Sequence, residues 1–511
     1  MEVRLAGHNL DRDLLLEIRA ALQAAARQPE GLSPEVDRVR ASASRLIAKD
    51  NWTPETLSAA YARISRDPRP VGELRAIARE EVDAARRSNR AIIFDLGHTS
   101  VAEHAVVNLD IIGISRLAVE EVERMRLCSY TEKSQRYILL EEDFIVPKEI
   151  QAAGLEEDFH SLVRRQNAFY RAAYDRLHSW VLAQNPHLAG SKRNHRMLEG
   201  LAKEDARYGL SLATTVQLGE TLNARSVESL IGRTAAHPLA ELQEFSRRLH
   251  EAVAGLAPSV IKYTGPPEFL VRTPSELRSA VAPLMEGAPQ PSGEEVVLLD
   301  APEDAEVRIV ATLMHSFCAH DAQTCRQRAR AIGPQGRLAV LQAALRHLGP
   351  HDPVLREFEH AQLCFELVLS AACFGQLKRH RMATLTAQDY DPGLGVTVPP
   401  SFEATALTES FEELRRETES LYVRVRERTD PQAAAYVLLN AHRRRVLWGL
   451  NVRELYHVAR LRLDEHAQWD IRRLAGRAVD LARERIPGLL LLACGKDRFD
   501  ERRREVFGPR D

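Results

Sequence analysis

The stretch Arg124-Met125-Arg126-Leu127-Cys128-Ser129-Tyr130-Thr131-Glu132-Lys133-Ser134-Gln135-Arg136-Tyr137 carries two arginines two apart, then two serines, a glutamate and a third arginine. Several cationic forks and hydroxyls presented together suit an anionic, planar, hydrogen-bonding ligand, and a nucleotide is the obvious candidate. A solvated basic helix end would have the same composition. What favours the ligand is a related stretch much later, Arg379-His380-Arg381-Met382-Ala383-Thr384, again preceded by an apolar run. Upstream of the first stretch, Val106-Val107-Asn108-Leu109-Asp110-Ile111-Ile112 is β-branched and partly alternating, which predicts a strand that Gly113 breaks. Ser115-Arg116 then opens a helix carrying Leu117, Val119 and Val122. Strand followed by helix places Arg124 and Arg126 at the end of a rigid element.

With 511 residues the chain has room for two to four ordinary domains. Apolar residues at 44% and charged residues at 28% fit a globular protein with real cores. A formal net charge of -2 supplies no strong field to recruit nucleic acid or a membrane. Arg443-Arg444-Arg445 and Arg502-Arg503-Arg504 read as solvated helix faces. The six cysteines include no CxxC pair, so reduced thiols in a cytoplasmic protein are expected, with no disulfide frame and no metal site. The N-terminus lacks an apolar signal segment and no apolar run is long enough to span a bilayer.

Residues 1–90 are expected to be helical. Thr53 is placed as an N-cap before Pro54 in Asn51-Trp52-Thr53-Pro54, with Leu57, Ala60 and Ile64 on one face, and Val71–Asn89 forms another amphipathic segment. Further helices are expected over 155–183, 204–231, 239–256, 305–331 (burying Cys318 and Cys325) and 403–428. A second strand is predicted over 363–369. Gly265-Pro266-Pro267 and Gly287–Gly293 argue against a packed element and set the boundary: a first domain over 1–270, a linker over 271–296 and a second domain over 297–511.

Across that boundary the pattern recurs in the same order. Glu103-His104 matches Glu359-His360, Arg124-Met125-Arg126 matches Arg379-His380-Arg381, Asn223-Ala224-Arg225 matches Asn451-Val452-Arg453, and Arg233…His237 matches Arg462…His466. The period is far too long for a solenoid. It indicates a duplicated domain.

The two arginine stretches resemble the signature of the flavin-dependent thymidylate synthases: Arg-His-Arg, two free positions, Ser, one free, Asn-Glu, one free, Ser, one free, Arg-Tyr. The first stretch matches at Arg124, Arg126, Ser129, Glu132, Ser134, Arg136 and Tyr137, and departs at Met125 and Thr131. The second keeps the whole triplet but has Thr384 for Ser and Ala387 for Glu, and lacks the Ser-x-Arg-Tyr end.

The resemblance covers most of both halves and implies an α+β fold, helix-rich overall, of two tandem domains, each a small twisted sheet wrapped by helices. It implies FAD as cofactor, dUMP as substrate, NADPH and methylenetetrahydrofolate as co-substrates, and sites shared between subunits. Here that becomes a homodimer forming a pseudo-tetramer. Carried over to matching positions, it implies a flavin set of Arg379, His380, Arg381, Glu359, Asn451, His457, His466, Glu103 and Ser100. It implies a nucleotide set of Glu132, Ser134, Gln135, Arg136, Gln376, Arg445 and Arg462. No side chain is assigned as a nucleophile; Ser134 reads as a phosphate-binding hydroxyl.

The losses in the two halves are complementary. The first keeps the Ser-x-Arg end, but has Met125 for the histidine, Glu121 where the second has Gln376, and Gln217 where it has Arg445. One intact site assembled from both halves, with a decayed mirror-related site, is the expectation. His380 is expected to place positive charge beside the flavin. Arg233 reads as a surface charge, and Glu103 and His104 could simply cap the following strand. Two other readings stay open: a flavin enzyme on another pyrimidine nucleotide or one-carbon acceptor, and a non-catalytic nucleotide- or flavin-binding homologue.

Overall fold

The alternation over 106–112 becomes the second strand of a four-stranded antiparallel sheet in the computed structural model, which describes residues 1–26, 41, 52–140, 143–188, 190–289 and 293–509. Its strands are β1 (Glu2–His8), β2 (Val106–Ser115), β3 (Cys128–Glu132) and β4 (Thr215–Asn223), in the order β1-β2-β4-β3. Strands β5 (Val296–Asp300), β6 (Gln362–Ser370), β7 (Thr384–Ala387) and β8 (Arg443–Asn451) repeat that order as β5-β6-β8-β7. The remainder is mostly helix, so the fold is the expected duplicated α+β arrangement.

The helices that place the site are α1 (Arg116–Val122), α2 (Glu156–Gln184), α3 (Lys192–Ala206), α4 (Ala224–Ala235), α5 (Ala371–Leu377), α6 (Thr408–Arg426) and α7 (Val452–Arg462). Their starts are written locally. The hydroxyls of Ser115 and Ser370 accept from the amides of Ala118 and Cys373, each at 3.0 Å, and the side chains of Asn223 and Asn451 accept from Ser226 and Glu454, each at 2.9 Å. These are N-caps, each fixing where a strand turns into a helix.

The halves meet about a pseudo-twofold axis. Ser211 and Leu439 form an antiparallel bridge, flanked by reciprocal bonds from Leu212 N to Leu438 O and from Asn440 N to Leu210 O, both 2.8 Å. Ser211 and Leu439 are as far apart in sequence as Asn223 and Asn451, so a residue here faces its own duplicate. The seam breaks that symmetry with charge. Glu123 and Lys378 each precede the first arginine of their stretch, and they form an ion pair at 2.8 Å with both side chains at least nine-tenths buried. Two unmodified copies would set like charges against each other there.

Two of the hydrophobic cores draw on both halves. Val107, Leu109 and Leu218 of the first sheet pack in one cluster with Leu421, Val425 and Tyr436, while Tyr170 and Tyr208 share another with Phe402 and Phe411. Each such fully buried side chain contributes about 1.5–3 kcal/mol.

Several expectations are corrected. The chain opens with the strand β1 rather than a helix, and residues 27–40 and 42–51, also expected to be helical, lie outside the described residues, as do 290–292 of the expected linker. Gly113 does not end β2; it takes φ +74° at a bulge and the strand runs on to Ser115. The helix expected over 204–231 is split by β4, whose Val216, Leu218, Glu220 and Leu222 alternate inward with period two. Ile64 is exposed, unlike Leu57 and Ala60, because Glu55–Arg63 ends before it. The cap position of that helix falls on Pro54 rather than Thr53, although the Thr53 hydroxyl accepts from Glu55 N at 3.2 Å. Arg443-Arg444-Arg445 opens β8 instead of lying on a helix, and Arg444 crosses the seam to Glu120 at 2.8 Å. Cys325 is buried but Cys318 is exposed. The proline- and glycine-flanked segment 268–281 is helical, yet buries none of its residues.

Candidate functional site

The Ser-x-Arg stretch leaves the end of β3 and crosses toward the second half. Arg136 donates through Nε to the Glu204 carboxylate at the end of α3 and through Nη2 to the backbone carbonyl of His466 at 3.3 Å. Opposite it, Arg462 at the end of α7 donates to His380 Nε2 at 2.9 Å, to Gln376 Oε1 at 3.2 Å and to Gln376 O at 3.0 Å. The front cluster and the rear triplet therefore share one crevice within a single chain.

Its electrostatics are unbalanced. Burial and the charges of Arg379 and Arg136 push Arg462 down to about 10. Burial likewise depresses Arg207, whose Nη2 is buried without a hydrogen-bond partner, as is Nε2 of Gln135. Arg379 is exposed and makes no ion pair among the described residues. Glu132 pairs with Arg116 at 3.2 Å. Burial raises its carboxyl, but Arg116, Lys378, Arg379 and Arg207 outweigh that and hold it below the usual range. A cluster of guanidiniums with few carboxylates and unpartnered donors is built for an anion.

Arg116 Nη2 passes close over Gly375, where a Cβ would lie 2.1 Å away and push the guanidinium aside. Arg126 and Arg381 stitch the two stretches together. Arg381 donates to Arg126 O at 3.1 Å, and Arg126 donates to Ala383 O at 3.2 Å and to Thr384 Oγ1 at 3.1 Å.

His380 carries a corrected expectation. It is buried, accepts from Arg462 and faces Glu454 across 3.5 Å. Desolvation lowers its pKa despite Glu454, so the imidazole is neutral and the positive charge comes from the arginines. His457 stands edge-on to it, ring centroids 5.6 Å apart, and is exposed.

Other expected residues are engaged elsewhere. Asn451 caps α7. Glu359 pairs with Arg453 at 2.9 Å, and Glu103 pairs with Arg225 at 2.6 Å at the duplicate position. Ser100 is exposed in a short 3₁₀ turn, Thr99–His104. Arg445 pairs with Glu366 at 3.1 Å and makes no contact with the cluster. Ser134 accepts from Arg136 N at 3.2 Å, and the His466 ring points to Asp464 at 2.9 Å, its carbonyl alone meeting Arg136. Sequence reasoning missed Arg116, Glu204 and Arg207; none lies in a motif, and only the fold brings them together.

The mirror-related crevice repeats the arginines but gives them a carboxylate partner. Arg233 is not a surface charge. Its Nε pairs with Glu121 Oε1 at 2.9 Å, Nη2 donates to Glu121 O at 2.6 Å and Nη1 approaches Met125 Sδ at 3.4 Å, the placements that Arg462 has on Gln376 and His380. Glu121 also takes Arg124 at 3.1 Å. Counting along the second stretch, Asp389 and Asp391 stand where the first has Ser134 and Arg136. This side opens into a cavity of about 1040 Å³, lined by Glu121, Arg124, Arg233 and Asp389 and also by His380 and Arg381 of the rear triplet.

Fold and crevice thus define a duplicated α+β protein with one cationic site built from both halves. The family model described as thymidylate synthase complementing protein matches residues 45–259 and 297–488. The chain belongs to that family. It is 24% identical over 463 residues to a UPF0159 protein of Thermoplasma acidophilum, covering 82% of this chain and 90% of that one. It is 29% identical to the flavin-dependent thymidylate synthase of Clostridium tetani over 42% of this chain and 83% of the relative. The enzyme of that name from Geobacter sulfurreducens is 30% identical over 34% of this chain and 67% of its own length. Among the described residues no helix is long and apolar enough to cross a membrane.

Proposed function

We propose that this chain is an FAD-dependent thymidylate synthase-type methyltransferase, reductively methylating dUMP with methylenetetrahydrofolate and NADPH in one composite crevice. The observation that carries this reading is the guanidinium cluster of Arg136, Arg379 and Arg462, which come from both halves and of which, among the described residues, only Arg136 meets a carboxylate, that of Glu204. Residues 1–270 and 297–511 are the two duplicated units, joined by 271–296.

Arg136, Ser134 and Arg462 would hold the nucleotide phosphate, each charge-assisted bond contributing about 1.5–3 kcal/mol. Gln376 orients Arg462 without adding charge, and Gln135 and Arg207 offer their unpartnered donors to the base. The exposed, unpaired Arg379 and the neutral His380 beside it fit an anionic flavin cofactor. Arg381, His457 and His466 are further flavin contacts. Bound there, FAD supplies reducing equivalents and activates the pyrimidine, which suits a motif with no nucleophile–base pair. A homodimer completes the assembly, and the helix Glu268–Val281, with Phe269, Val271 and Leu277 exposed, offers it a face. A cytoplasmic location fits this chemistry.

The test is to load the purified chain with FAD, record its flavin spectrum and titrate dUMP and related nucleotides. dUMP-dependent oxidation of the reduced flavin in the presence of methylenetetrahydrofolate is the expected result. Arg136→Ala should weaken nucleotide binding and Arg379→Ala flavin binding. If neither change affects either ligand, the composite site is wrong.

A further inference from the structure

We propose that His178, His195 and Glu199 form a binding site for a divalent metal ion of the zinc class, tying α2 to α3. The three donors come from two helices: His178 lies on α2, and His195 and Glu199 are four apart on α3, on one face. Their ligand atoms all lie within 4.8 Å of one another, and no other such trio occurs among the described residues. His195 Nδ1 is 3.3 Å from Glu199 Oε1. Zinc with bonds of about 2.0–2.1 Å in tetrahedral geometry sets its ligand atoms about 3.3 Å apart, so this pair already has the required bite.

The surroundings suit a metal better than a hydrogen-bonded cluster. Nε2 of His178 is buried and has no hydrogen-bond partner, leaving an imidazole nitrogen facing its neighbours unused. Tyr174 stacks on the His178 ring at 5.5 Å and fixes its plane, while His178 and His195 meet edge to face at 5.4 Å. Lys203 donates to the other carboxylate oxygen, Glu199 Oε2, at 3.3 Å and to Tyr137 O at 3.3 Å. That leaves Glu199 Oε1 for the ion and gives the carboxylate the outer support that metal ligands usually have. Two imidazoles and one carboxylate are borderline ligands that suit zinc over calcium or magnesium. Water would take the fourth position at this half-exposed site.

The hairpin belongs to the first half alone; in the second, α6 is followed almost directly by Pro431–Ala434. Glu204, which holds Arg136, lies in the last turn of α3. The ion would therefore brace the support of the arginine that reaches across the seam.

The test strips the full chain with a chelator, exchanges the buffer and titrates zinc, following bound metal by elemental analysis and unfolding by thermal scan. One equivalent per chain and a raised melting temperature are expected. Both should be lost in His178→Gln and in His195→Gln, the affinity falling by more than the roughly 10–100-fold typical of losing an outer-shell partner. Cobalt in place of zinc needs no variant: a four-coordinate spectrum without thiolate charge-transfer absorption supports the proposal. A thiolate band would assign the metal to cysteines such as Cys318 and Cys325 and overturn it, as would undiminished zinc in the histidine variants or no zinc retained by the wild-type chain.

Discussion

The two crevices beside the pseudo-twofold axis were built from one plan and now hold their central arginine differently. In one, Arg462 is held by the neutral Gln376 and the neutral His380, so its charge remains for a ligand. In the other, Arg233 occupies the same place but is held by the Glu121 carboxylate, which takes Arg124 as well. The cavity of about 1040 Å³ opens on the mirror side and reaches His380 and Arg381; within it Arg124 and Arg233 are both taken up by Glu121, and Asp389 lines the wall. What separates the two is the partner of the central arginine, a neutral amide in one and a carboxylate in the other. Duplication within one chain permits this, because each half is freed from serving both sites.

The sharpest way to break the comparison is at the seam. Lys378→Met should destabilise the chain by about 3–5 kcal/mol, since it strands the buried Glu123 carboxylate, and adding Glu123→Leu should recover most of the loss. Denaturant unfolding of both variants checks this; equal stabilities would mean the Glu–Lys pair does not distinguish the halves. Next, Gln376→Glu gives the working crevice its mirror's carboxylate. Nucleotide binding should fall on the order of 100-fold, as expected for a like charge costing several kcal/mol, while Glu121→Gln alone should create no second nucleotide site because Asp389 and Asp391 remain. Calorimetric titration with dUMP reads both.

A smaller effect is expected from Arg136→Ala, about 1.5–3 kcal/mol of nucleotide binding, against no change for Asp391→Ala at the duplicate position. The smallest concerns a core difference. Glu220 is buried without partners where the second half has Trp448, and burial, aided by Glu123, raises its carboxyl to about 8. Such a group costs nothing below the unfolded value near 4.5 and destabilises progressively as pH rises from there to about 8. Glu220→Gln should therefore raise the melting temperature at pH 8 and leave it unchanged near pH 4; a loss at pH 8 would instead put Glu220 in contact with a cation.

Much of the site could be read from the chain because its motifs are local. The Ser115 start of α1 and the two arginine stretches are each written within a few residues, whereas the Asn223 and Asn451 caps went unread, Asn223 falling inside an expected helix and Asn451 in the expected flavin set. Strands β3, β4, β7 and β8 were harder: β4 and β8 pair with segments roughly a hundred residues away, and a short half-buried strand resembles a helix edge in sequence. Arg445, Asn451 and Glu359 sit at motif-like positions, but Glu366, the α7 amides and Arg453 claim them.

That the domain is duplicated and that the two copies lost complementary residues can be read from residue identity and order. Which arginines lack a carboxylate partner emerges once the chain has folded. Whether a guanidinium meets Gln376 or Glu121, whether His380 is charged or neutral, and whether Arg116 can pass over Gly375 all depend on distances across a seam. Coulombic and desolvation energies are set by those distances, and chain order does not encode them.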